Sequence, residues 1–66
     1  MINISEYYED DRKAIVYKGD RGYIVHLFEN DELKRIADVC EHSLQYAEDC
    51  AENWVMKVGD FNVVGN

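Results

Sequence analysis

The stretch KAIVYKGDRGYIVHLF, residues 13–28, constrains the fold more than any other part of the chain. Two runs rich in β-branched and aromatic residues flank the polar loop KGDRG, where Gly19 and Gly22 are placed to accept positive φ. This pattern predicts a β-hairpin over about residues 12–28. Along it Ala14 and Val16 alternate with Ile15 and Tyr17, and Tyr23, Val25 and Leu27 alternate with Ile24, His26 and Phe28. Side chains change face at every residue of a strand, so both faces of this hairpin are substantially apolar. A single covering element can bury only one of them.

FENDEL follows the hairpin and is itself a turn signal, because Asn30 and Asp31 tolerate tight-turn backbone and hydrogen-bond to it locally. The next segment, ELKRIADVC, satisfies two periodicities. Leu33, Ile36, Ala37 and Cys40 have helical spacing, whereas Leu33, Arg35, Ala37 and Val39 would share one face of a strand. A short turn leading straight out of a strand favours an antiparallel continuation, so we read a third strand over about residues 33–39. At the other end, ISEYYEDD crowds Glu6, Glu9, Asp10 and Asp11 together and fits either a short edge strand or a loosely ordered lead-in.

HSLQYAEDCAENWV, residues 42–55, holds a histidine, a serine, three acids and a cysteine, the ingredients of a hydrolase or a metal site. Spacing favours a helix instead. Ser43 suits an N-cap, and Leu44, Ala47, Ala51, Trp54, Val55 and Val58 fall on one apolar stripe of a 3.6-residue helix. Lys57 suits the negative end of the helix dipole, and Gly59 is a ready stop. The expectation is an amphipathic helix over about residues 43–58, with Ala47 and Ala51 allowing close approach to the sheet and Trp54 as its anchor. Phe61, Val63 and Val64 would then pack back on the core or add an edge strand.

These elements make one small α+β domain over residues 1–66: a short antiparallel meander with one face covered by a helix. A chain of 66 residues without proline offers no linker, and a domain this size buries only about 60% of its unfolded surface. Yet 47% hydrophobic residues and eight aromatics exceed what a disordered acidic chain carries, so it should fold. Self-association is the expected reinforcement of so thin a core.

Fourteen acids against seven bases give a formal charge of -7, which disfavours direct contact with nucleic acid or anionic lipid. No run approaches the ~20 apolar residues of a membrane span, and MINISEYYEDD lacks the basic and apolar regions of a secretory signal. A cytoplasmic setting follows, in which Cys40 and Cys50 stay reduced and behave as small apolar groups.

His42 and Ser43 are adjacent and point apart in regular backbone, so they make a poor base and nucleophile, and no nucleophile elbow is present. The alternative of a small metal protein would draw on Cys40, His42 and Cys50, with His26 a further donor, but their spacing matches no familiar zinc pattern. YYEDD lacks the central glycine of a calcium loop, and YKGDRG lacks the length and following helix of a phosphate cradle. We expect no enzyme activity and no cofactor. The dispersed acids fit a solubilising surface, with mimicry of DNA toward a basic protein as the sharper alternative.

At GYIVHLFEN and HSLQYAEDCAENWV the chain resembles small uncharacterised proteins of tailed phages infecting marine cyanobacteria, over about Arg12 to Val58. The resemblance implies a three-strand-plus-helix order and a host cytoplasm as the setting, and it brings no catalytic residues with it. It also implies a protein that adjusts a host process by binding a host protein. From the residues themselves, the surplus apolar sheet face predicts a protein-binding surface drawn from Ile15, Tyr17, Tyr23, Val25, His26 and Phe28. Which alternate set turns outward is not decided by the pattern. A homodimer is the expected assembly.

Overall fold

The structure, a computed structural model, describes residues 1–57. It is a four-stranded antiparallel meander in the order β1 (Ile2–Glu9), β2 (Arg12–Lys18), β3 (Tyr23–Glu29) and β4 (Glu32–Val39), followed by helix α1 (Leu44–Met56). The hairpin and the strand reading of residues 33–39 are both present, and the acid-rich first segment is an edge strand. Val58, Gly59, Phe61, Val63 and Val64, expected to serve as helix, stop and tail residues, lie outside the described residues.

Turn chemistry sets the register. Asn30 and Asp31, at φ 54° and 65°, form a two-residue loop whose positive φ values match the twist of the flanking strands. Asp10, at φ 54°, helps reverse the chain between β1 and β2, and the Asn30 amide donates to the Asp11 carbonyl (2.8 Å), tying these two turns together. In the longer loop the Gly19 amide donates to the Gly22 carbonyl (2.8 Å), but of these two glycines only Gly22 has positive φ, at 140°. A Cβ on Gly22 would also stand 2.8 Å from Cys40 Cα, so this position is closed to side chains by both strain and space.

β2 and β3 pair Ala14 with Leu27 and Val16 with Val25, and these four residues are completely buried on the helix side. Helix α1 lies chiefly over β2, with β1 and β3 on either side of it. It contributes buried Ala47, Ala51, Trp54 and Val55, and Val39 of β4 completes the core. Burying a side chain such as Leu27 contributes about 1.5–3 kcal/mol.

Polar contacts fix where the helix sits. The Ser43 hydroxyl accepts from the Tyr46 amide (3.2 Å), the expected N-cap. Lys57 ends the helix in the left-handed region (φ 57°), its amide donating to the Asn53 and Trp54 carbonyls. Trp54 Nε1 donates to the Phe28 carbonyl (2.8 Å), while Arg12 stacks 4.1 Å over the indole and donates from Nη1 to the Trp54 carbonyl (3.0 Å). Ser5 Oγ to Glu48 Oε2 (2.9 Å) and Lys57 Nζ to Asp11 Oδ1 (3.2 Å) join the helix to β1 and to the first turn.

Candidate protein-docking face

The strand register places three rows of side chains on the sheet face away from α1. One row reads Tyr8, Lys13, Phe28 and Leu33; the next Glu6, Ile15, His26 and Ile36; the last Asn3, Tyr17, Ile24 and Asp38. Two irregularities keep these rows aligned, with Ile4 as an extra residue in β1 and Lys34 as one in β4. None of these side chains belongs to the core on the other side.

Aromatic and aliphatic groups dominate the middle of the face. The Tyr17 and His26 rings are 4.6 Å apart and tilted, the His26 and Phe28 rings 6.4 Å apart, and Lys13 Nζ stands 4.4 Å over the Phe28 ring. Ile15 is only 9% exposed yet lies outside the core cluster, because its own face neighbours shield it. Toward the β4 edge the shielding fails: Leu33 is 47% exposed and Ile36 is 54% exposed. No described helix or strand lies over this face; the helix packs only on the other.

The β1 edge is a polar rim. Glu6 accepts from Asn3 Nδ2 (2.8 Å) through one carboxylate oxygen and from the Tyr8 hydroxyl through the other. These two donors hold the Glu6 carboxyl below its usual range, and the same bond pushes the Tyr8 hydroxyl up. Glu6 and Asp38 are the only acids the register brings to the three rows, at opposite edges.

The structure divides the residues predicted for binding. Ile15, Tyr17, His26 and Phe28 lie together on the open face. Val25 does not: it is fully buried beneath the helix, and Tyr23 packs partly buried against the same core, with Lys18 Nζ 5.3 Å over its ring. The pairing of Lys18 with Tyr23 fixes this parity and excludes both from the outer set. Ile24, one of the alternating hairpin residues, joins the outer set, whereas Leu33 and Ile36 and the rim of Asn3, Glu6 and Tyr8 were not anticipated. His26 carried the available signal, since a histidine in mid-strand is less suited to a sealed core, whereas basic residues stand on both faces of the hairpin.

Cys40, His42 and Cys50 are not brought together. Cys40 and His42 border a shallow hollow with Arg21, Asp38 and Glu41, whereas Cys50 lies in the middle of α1. His42 stacks on Tyr46 at 3.8 Å. Among the described residues no three His, Cys, Asp or Glu side chains are grouped to hold a metal ion. Hydrogen bonding to Asp38 pushes the Cys40 thiol up, and burial does the same for Cys50, so neither thiol is activated as a nucleophile. Nor is any helix among the described residues long and apolar enough to cross a membrane.

No family model matches the chain, and neither a curated protein nor a solved structure matches it significantly.

Proposed function

We propose that this protein is a protein-interaction module without catalytic activity, and that the uncovered sheet face is its docking surface. The observation that carries this reading is the pair Leu33 and Ile36, half exposed beside the Tyr17, His26 and Phe28 cluster. A contiguous apolar patch with a polar rim has the composition of an interface centre and its border. In the setting implied by the phage resemblance, the module works in a host cytoplasm and modulates a host protein.

DNA mimicry has less support, because most acids lie away from the apolar patch and several are already engaged. Glu29 pairs with Arg12, Asp11 with Lys57 and Glu32 with Lys34, while Glu48 accepts from Ser5.

Placing a photo-crosslinking amino acid at Ile36, and separately at Asp49 on the helix exterior, tests the reading. Crosslinks to protein from Ile36 and not from Asp49, persisting at high salt, are expected. Crosslinks from Asp49 alone, lost as salt is added, would favour the acidic surface and sink the sheet-face assignment.

A further inference from the structure

We infer that the open face is completed by a second copy of this chain, stacked sheet on sheet about a twofold axis that runs along β3. This rests on the docking reading above and names its occupant.

Size is the first argument. An axis along β3 overlaps β2, β3 and β4 of the two copies. Three strands at ~4.8 Å spacing with about six residues at ~3.4 Å give roughly 300 Å² a side, so two copies bury about 750 Å² once surface relief is counted, the size of a weak, concentration-dependent association. The dimer is then a four-layer body, helix, sheet, sheet, helix, with the sheets ~10 Å apart.

The distribution of charge selects the axis. The apolar stripe is centred on β3, with Ile15 and Tyr17 on β2 at one side and Leu33 and Ile36 on β4 at the other. An axis along β3 lays β2 of each copy over β4 of the other, because a twofold interface must be self-complementary. Ile15 then meets Ile36 of the second copy, and the Tyr17 hydroxyl comes beside the carboxylate of its Asp38. The Asn3, Glu6 and Tyr8 rim stays at the periphery in water, and no acid faces an acid. A twofold across the strands would set Glu6 against its own copy, which like-charge repulsion opposes.

Each copy carries a formal charge of -7, and those charges sit mainly outside the interface. Added salt therefore screens repulsion between copies without weakening an apolar contact. Salt tightens this association, whereas it weakens one with a basic partner.

Sedimentation equilibrium of the full chain over a wide concentration range, with Ile36→Asp, Leu33→Asp and Asp49→Ala alongside, tests the inference. Dimers are expected for the unaltered chain and Asp49→Ala, with a dissociation constant falling roughly two- to tenfold between ~0.05 and 0.5 M salt. Ile36→Asp and Leu33→Asp should be monomeric with unchanged circular dichroism, since both positions are exposed in the single chain. A dimer that survives both substitutions, or an unaltered chain that stays monomeric throughout, would overturn the inference. If a monomeric chain still crosslinks from Ile36 to a different protein, the docking reading stands and only the second copy fails. Monomer without any crosslink removes both.

Discussion

The two faces of the sheet come from the same hairpin and are both apolar, yet they meet different fates. On one, Ala14, Val16, Val25 and Leu27 are sealed by α1 with no exposure at all. On the other, Tyr17, His26 and Phe28 cover Ile15 with one another, and Leu33 and Ile36 remain in the open. The difference lies in side-chain size and in what each face meets. Small and β-branched residues let the helix backbone approach through Ala47 and Ala51, whereas broad rings and a histidine make a surface that shields itself and leaves polar atoms at its top. Sealing serves stability, and under the docking role proposed above the open arrangement serves recognition.

Truncation should separate the faces most sharply. Leu27→Ala leaves a cavity in a fully buried site and should cost about 2–5 kcal/mol in urea unfolding. A cost below about 1 kcal/mol would mean that the helix does not seal this face as described. Ser43→Ala removes the cap that holds the covering helix and should cost about 1 kcal/mol, read as a lower unfolding midpoint with an unchanged urea slope.

The covered side also predicts a pH dependence. Burial raises the Cys50 thiol above its unfolded value, so the neutral form is favoured in the folded state. That contribution is fully present below the ordinary thiol range and is lost as pH rises through the raised value. Cys50 should therefore alkylate more slowly in the folded chain than in urea at mildly alkaline pH; equal rates would show that the thiol is not shielded.

The smallest stability effect belongs to the open face. Ile36→Asp should change the unfolding free energy of the monomer by no more than about 0.5 kcal/mol, measured at a concentration where the chain is dissociated. A large loss there would mean that Ile36 is a core residue and that the contrast between the faces is false.

Much of this contrast was legible in the sequence, because the hairpin declares its strands by alternation and the helix its stripe by 3.6-residue spacing. Ser43, Ala47, Ala51, Trp54 and Val55 take the places their spacing predicts. Two features hid the rest. In β1 the extra residue Ile4 shifts the alternation and acids occupy much of the strand, so ISEYYE shows no clean period. In β4 the extra residue Lys34 breaks the parity linking Leu33 to Arg35, which moves Leu33 to the open face beside Ile36. The assignment of Tyr23 and Val25 to the binding surface failed because alternation defines two sets without saying which one a helix will cover. That choice depends on packing between elements far apart in the chain.

The two histidines allow the central claim to be tested in one experiment, since His26 lies on the open face and His42 stacks on Tyr46 at the start of the helix. Carbethoxylation of the full chain, followed residue by residue over rising protein concentration, should show His26 reacting in dilute solution and becoming protected as copies meet, while His42 reacts at a constant rate. A His26 rate that does not change with concentration, whether fast or slow throughout, would contradict completion of this face by a second copy.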